Sequence, residues 1–79
     1  MTVLLFAIAR DLAGASAVDV PVPDGATVGT MRAALADVYP ALAVLLPRCR
    51  VAVGQAFAAD TDVVPVGAEV ALIPPVSGG

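Results

Sequence analysis

Apolar residues fall in short runs along this chain, separated by glycine, proline and polar residues. Val3–Ala9 is a continuous apolar run, which predicts a strand buried on both faces. In Ala17–Val22 valines alternate with small or polar residues, which predicts a second strand that pairs with the first across a turn at Arg10–Ser16. Pro23-Asp24-Gly25 then predicts a turn that ends this hairpin.

The next segment has the spacing of an amphipathic helix. Thr27 is a suitable N-cap, the helix is expected to run to about Val38, and Pro40 is expected to end it. A short helical turn is expected over Ala41–Leu46. The large apolar residues of the main helix share one stripe: Val28, Met31, Leu35 and Val38.

The second half of the chain predicts three further strands. Arg50–Val53 and Ala56–Ala58 flank a tight turn at Gly54-Gln55, so they are expected to form a hairpin. Asp60–Val64 is expected to be irregular, and Glu69–Pro74 is the last predicted strand.

The order of these elements predicts the fold class. A hairpin, one main helix and later strands indicate an α+β domain, in which the helix covers a mixed sheet. This is the ubiquitin-like β-grasp arrangement, with the last strand beside the first in the middle of the sheet. We expect residues 1–74 to form this domain and residues 75–79 to form a flexible, extended C-terminal tail.

The last two residues, Gly78 and Gly79, form the candidate functional group. Because glycine has no side chain, this end can enter a slot too narrow for a Cβ and present its carboxylate to another protein. Pro74 and Pro75 lack backbone donors, so they are expected to lead the chain out of the sheet. The alternative is a frayed end without a function, since most termini are disordered.

Composition narrows the possible functions. The 79 residues make one domain, and 59% of them are hydrophobic. So small a domain cannot bury this much apolar surface, so part of it is expected to stay exposed and to bind a partner. A net charge of −3 without clustered basic residues argues against nucleic-acid binding. No apolar run approaches the ~20 residues of a membrane span. A single cysteine cannot form an internal disulfide, which favours a reducing, cytoplasmic location.

Residues typical of catalysis are scarce. The chain has no histidine, and Asp60-Thr61-Asp62 lacks the remaining positions of a calcium loop, so no metal site is expected. Cys49 lies between Arg48 and Arg50, whose charges would lower the pKa of its thiol, but its valine neighbours favour a buried core residue. The chain also has no lysine, so an activated C-terminal carboxyl would find no side-chain amine on its own molecule.

Both ends of the chain resemble one family. The opening Val3–Gly14 and the ending Gly67–Gly79, above all Pro-Pro-Val-Ser-Gly-Gly, are similar to the small subunits of molybdopterin synthase, which are ubiquitin-like sulfur carriers. Gly54 stands where this family usually has asparagine, and Ala68 where an acidic residue is common. Both differences lie away from the tail.

The resemblance implies a mechanism. An adenylating enzyme would use ATP to activate the Gly79 carboxylate, and a sulfur donor would convert it into a thiocarboxylate. Inserted into the large subunit of the synthase, in a heterotetramer, this group would donate sulfur to a pterin precursor of the molybdenum cofactor. The chain itself would bind no cofactor and would act as a non-catalytic sulfur-donor subunit.

The resemblance also implies a partner-binding surface. Phe6, Phe57 and Ile73 are expected to form an apolar patch on the side of the sheet away from the helix, and Arg10, at the end of the first strand, is expected to form a salt bridge with a partner. The alternatives are that Phe6 belongs to the core and that Arg10 is solvated. The tail stem would bind together with the glycines: Pro74, Pro75, Val76 and Ser77.

Two other functions stay open at this point. A sulfur carrier for thiamine or cysteine synthesis would use the same tail chemistry with a different acceptor. A ubiquitin-like modifier or a plain interaction domain would carry no sulfur. The Pro-Pro-Val-Ser stem favours the molybdopterin pathway.

Overall fold

The computed structural model describes residues 1–23 and 25–75. Its strands are β1 (Thr2–Leu5), β2 (Ala17–Asp19), β3 (Arg50–Val53), β4 (Ala56–Ala58) and β5 (Val70–Ile73). Its α-helices are α1 (Ala7–Ala13) and α2 (Val28–Val38), and 3₁₀ turns follow at Pro40–Leu42 and Leu46–Arg48.

The five strands of the described residues form one mixed sheet in the order β2-β1-β5-β3-β4. β1 pairs antiparallel with β2 and parallel with β5. β3 pairs antiparallel with both β5 and β4. The predicted ubiquitin-like β-grasp fold is therefore confirmed, with the last strand beside the first.

The core lies between the sheet and α2. Val3 pairs with Val70, and both Leu5 and Val51 pair with Leu72, so these side chains point to the same side of the sheet. All of them are almost fully buried. From α2 the core receives Val28, Met31 and Leu35.

α2 has the bounds that the sequence predicts. The Thr27 hydroxyl accepts a hydrogen bond from the backbone N–H of Thr30 at 3.2 Å, which satisfies one of the free amides at the helix start. Val38, expected on the buried stripe, is instead 44% exposed. Ten residues after Val28, it lies about 80° away around the helix axis, at the edge of the buried stripe.

The first apolar run is not one strand. β1 ends at Leu5 and α1 follows, so the predictions of a strand over Val3–Ala9 and a turn over Arg10–Ser16 are wrong. An apolar run alone cannot distinguish a strand from a helix, whereas alanine, leucine and arginine are good helix formers. Gly14 ends α1 with φ at 73°, and its N–H donates to the Arg10 carbonyl at 2.9 Å.

Of the other strands, two are shorter than predicted and two have the predicted bounds. β2 stops at Asp19, β5 covers Val70–Ile73, and β3 and β4 have their predicted bounds. Gly54 has the positive φ, 65°, that suits its hairpin turn. Of the turn predicted at Pro23-Asp24-Gly25, Asp24 lies outside the described residues.

Arg32 connects α2 to two other segments. Its guanidinium donates to the carbonyls of Leu46 at 2.6 Å and Cys49 at 2.7 Å. Its Nε lies 2.9 Å from Asp60 Oδ1, close enough for an ion pair but not aligned for a hydrogen bond. The planar fork of arginine allows these contacts to form together.

Replacing Arg32 with lysine is expected to lower the free energy of unfolding by about 1–3 kcal/mol, because one ammonium cannot reproduce the fork that binds both carbonyls. Urea denaturation measures this difference. The exposed Arg48 provides the matched control, and Arg48→Lys is expected to stay within about 0.5 kcal/mol of the wild type. Equal stabilities of the two variants would contradict the role given to Arg32.

Candidate functional site

The last strand runs from the middle of the sheet towards the C-terminal residues. β5 is paired along both edges, and Val70, Ala71 and Leu72 are buried. Pro74 is still buried, whereas Pro75 is exposed. The described part of the chain therefore reaches the surface at Pro75.

The rest of the predicted tail is not part of the described structure. Val76, Ser77, Gly78 and Gly79 lie outside the described residues. The roles assigned to them stay predictions, as does the division of the chain at residue 75.

The side of the sheet away from α2 carries a continuous row of apolar residues. The strand register aligns Ala17 with Leu4, Leu4 with Ala71, Ala71 with Ala52 and Ala52 with Phe57. The next row towards the tail pairs Ile73 with Arg50. We call this surface the open face, defined by Leu4, Ala17, Arg50, Ala52, Phe57, Ala71 and Ile73.

The structure places two predicted patch residues on the open face and the third at its rim. Phe57 is 55% exposed and Ile73 is half-buried. Phe6 follows Leu5 at the end of β1, level with Ile73, and its 47% exposure shows that it is not a core residue. Phe6 and Phe57 are three strand spacings apart, about 15 Å, so they are not in contact. Their partner-binding role stays a prediction.

Arg50 lies between these residues and was not predicted as part of the site. Its Cζ atom is 3.7 Å from the centroid of the Phe57 ring, a cation–π contact. Strand alternation carries the signal that would have located it, because a buried Val51 places Arg50 and Ala52 together on the opposite side of the sheet.

Arg10 is not where the sequence predicted it. It lies on α1 and not at the end of a strand, although it is exposed. On the same helix, Ile8 and Leu12 are largely exposed and line an apolar groove of about 260 Å³ together with Val44. The interpretation of this segment as the end of a strand and a turn concealed the spacing of four residues between Ile8 and Leu12, which places both on one side of a helix.

The described residues contain neither a cluster of metal-ligating groups nor a membrane-spanning helix. Among residues 1–23 and 25–75, no three His, Cys, Asp or Glu side chains are placed to hold a metal ion. None of the helices in this part of the chain is long and apolar enough to span a membrane.

Cys49 is a core residue, as its valine neighbours in the sequence predicted. It is 4% exposed, and its thiol donates to the Leu45 carbonyl at 3.4 Å. Burial raises the pKa of the Cys49 thiol above its ordinary value, and the positive charge of Arg32 offsets this only in part. The thiol is therefore protonated and unreactive at neutral pH.

Cys49→Ala is expected to destabilise the protein by about 1 kcal/mol near pH 7, and by less near pH 10. Because the pKa of the thiol is higher in the folded protein, its stabilising contribution is complete below the ordinary value of 9.0 and is lost as the pH rises above it. Urea denaturation of both proteins at the two pH values measures the effect. A cost that grows with pH would show that the shift has the opposite sign.

Comparisons with known proteins find relatives over nearly the whole chain. A family model described as the ThiS family matches residues 3–79. The chain is 35% identical over 79 residues to the molybdopterin synthase sulfur carrier subunit of Chlamydomonas reinhardtii, with coverage of 98% of this chain and 95% of that protein. It is 34% identical over 77 residues to the protein of the same name from Arabidopsis thaliana, with coverage of 98% and 80%.

Among solved structures, small archaeal modifier protein 1 of Haloferax volcanii is similar, with a TM-score of 0.83 and 34% identity over 96% of this chain and 97% of that one. Since the family model covers nearly the whole sequence and the relatives match almost end to end, the resemblance seen at both ends of the chain is confirmed, and the chain belongs to the ThiS family.

Proposed function

We propose that this chain is a sulfur carrier and the small subunit of a molybdopterin synthase. The observation that carries the proposal is the match, over 98% of the chain, to two proteins named as sulfur carrier subunits of that enzyme. The fold is consistent with it, because a buried central strand leads to an exposed Pro75 four residues before Gly79. A cytoplasmic location follows from this role and agrees with the free Cys49.

Sulfur loading begins with activation of the terminal carboxylate. A free carboxylate on Gly79 would have a pKa of about 3.5 and would be an anion that resists nucleophiles. In the adenylating enzyme, its oxygen would bond to the α-phosphorus of ATP while pyrophosphate leaves. A sulfur nucleophile would then form a C–S bond with the acyl carbon, and AMP would leave with the electrons of the broken C–O bond.

Transfer takes place in the large subunit. The thiocarboxylate sulfur would form a C–S bond with a carbon of the pterin precursor while an oxygen substituent of that carbon leaves with the electrons of its C–O bond. Hydrolysis of the resulting acyl–sulfur bond would then leave the sulfur on the pterin and return the Gly79 carboxylate. Each sulfur of the dithiolene would therefore need one loaded carrier. Because this chain has no histidine, the acid–base group that works near neutral pH would come from the large subunit. The family resemblance implies that the cations which bind the pterin phosphate also belong to that subunit.

The open face is the proposed docking surface for both partners in turn. Phe57 and Ile73 present exposed apolar area there, and Ile73 leads directly to Pro74 and Pro75. A partner that covers this face would receive the tail from a fixed point. Phe6 and Arg10 would contribute at the rim, where β1 leads into α1.

A second candidate function is protein modification. It is favoured by the similarity to a protein named small archaeal modifier protein 1. In this case the activated Gly79 would be joined to an amine of another protein. A carrier for thiamine or cysteine synthesis is a further alternative, which differs from the main proposal only in the sulfur acceptor.

Incubation with the adenylating enzyme of the same organism, ATP and sulfide is expected to increase the intact mass by the difference between one sulfur and one oxygen atom. The protein without Gly79 is expected to show no increase, because its terminal carboxylate, now on Gly78, is one residue too short to reach the site of activation. Cys49→Ser serves as the control and is expected to gain the same mass as the wild type. An unchanged wild-type mass would rule out both sulfur-carrier functions. If the mass increases, co-purification of the loaded protein with the large subunit of molybdopterin synthase would identify the pathway.

Substitutions at Gly78 test the narrow slot that the tail is proposed to enter. The loading rate is expected to fall with side-chain size, modestly for Gly78→Ala and by at least about tenfold for Gly78→Val, because only glycine leaves the space of a Cβ empty. Mass spectrometry over time measures the rate. The thermal midpoint of unfolding is expected to stay unchanged, and a Gly78→Val protein that loads at the wild-type rate would disprove the slot.

A further inference from the structure

Arg50 carries a positive charge on the open face that nothing in the described structure neutralises. Within residues 1–23 and 25–75, its guanidinium forms neither a hydrogen bond nor an ion pair. Asp60 lines the same shallow pocket of about 420 Å³, but its carboxylate lies 2.9 Å from Arg32. The N–H donors of Arg50 are therefore left to solvent.

The contact with Phe57 holds this guanidinium in place without using its donors. The Cζ atom lies 3.7 Å above the ring centroid, so the ring contacts the flat side of the guanidinium. The N–H groups lie in the guanidinium plane and stay available to another molecule.

Charges at the two ends of the open face have opposite signs. Arg50 pairs with Ile73, at the end where the chain leaves the sheet. At the other end, Asp19 pairs with Thr2 and accepts a hydrogen bond from its hydroxyl at 2.7 Å. Glu69 belongs to the same end, because its carbonyl accepts from Gly54 at 2.7 Å and so continues the ladder of β5 by one residue.

A partner that covers Phe57 and Ile73 must also remove water from Arg50. A guanidinium that loses water without gaining acceptors is strongly unfavourable. A carboxylate fits it best, because its two oxygens accept two parallel N–H groups.

We infer that Arg50 is a specificity-determining residue of the open face and that the partner covering this face presents a carboxylate to it. The inference rests on the proposed function, since it names the chemistry of the partner at the same docking surface. If the partner bound in the orientation rotated by half a turn, its carboxylate would lie near Asp19 and Glu69, and the like charges would repel. Arg50 therefore selects the orientation in which the tail end of the sheet meets the partner's active site.

The test measures the dissociation constant for the large subunit of molybdopterin synthase from the same organism, by calorimetry. Arg50→Gln is expected to weaken binding by about tenfold and Arg50→Glu by about a hundredfold or more, since the latter sets two negative charges against each other. Arg50→Lys is expected to fall between the wild type and Arg50→Gln, because it keeps the charge and loses the fork. Arg48→Glu changes the net charge by the same amount as Arg50→Glu, but at a residue outside the open face. Its dissociation constant is expected to stay within about threefold of the wild-type value.

Salt dependence provides a measurement that a purely structural role would not change. Wild-type affinity is expected to fall between about 0.05 and 0.5 M NaCl, and Arg50→Gln is expected to lose part of this dependence. Equal thermal midpoints confirm that the variants fold. If the wild type binds and Arg50→Glu binds within about threefold of it, the inference is wrong while the proposed function stands. If the wild type neither binds nor gains sulfur, both are wrong.

Discussion

The parallel pairing of β1 with β5 is the constraint on which the other features depend. It aligns Val3 with Val70 and Leu5 with Leu72, the pairs that form the centre of the core. Parallel neighbours need a long crossover connection, and here that connection contains α2, which covers the sheet. Because β5 also pairs with β3, the antiparallel pairs β1–β2 and β3–β4 belong to one sheet only while β5 lies between them.

The same pairing separates the two sides of the sheet and positions the tail. One side is filled by α2, whereas the other keeps Phe57 and Ile73 accessible. Ile73 is held in the sheet by its pairing with Arg50, and Pro74 is buried. The proposed carrier is loaded with sulfur in one enzyme and unloaded in another. It benefits from such a base, because a rigid attachment limits the positions open to the residues that follow Pro75.

Elements with a clear period were predictable from the sequence, and a featureless run was not. α2 has an N-cap, an apolar stripe and a terminating proline, and its bounds were correct. The run Val3–Ala9 offers no polar residue to reveal a period of two or of 3.6, so α1 was missed. The change from β1 to α1 is set by packing in three dimensions and not by the local sequence pattern. Phe6 still has an extended backbone, Ala9 is buried in the core, and Gly14 ends the helix.

The functional site, too, was predictable only in part. Alternation along β5 correctly placed Ile73 away from α2, but alternation treats one strand at a time. The contact between Arg50 and Phe57 also depends on the hairpin register that pairs Ala52 with Phe57. For Cys49, the adjacent arginines suggested a lowered thiol pKa. The cation that acts on it is Arg32, 17 residues away in sequence, and burial outweighs that charge.

The presence of arginine, and not lysine, on the open face fits the proposed chemistry of the tail. An acyl-adenylate on Gly79 reacts with any accessible amine, and a lysine near the stem on the same chain would compete with the sulfur donor. A guanidinium keeps its charge at every physiological pH and is a poor nucleophile, so it can recognise a partner beside an activated carboxyl without consuming it. A chain without lysine that places Arg50 at the tail end of the open face combines recognition with chemical inertness there.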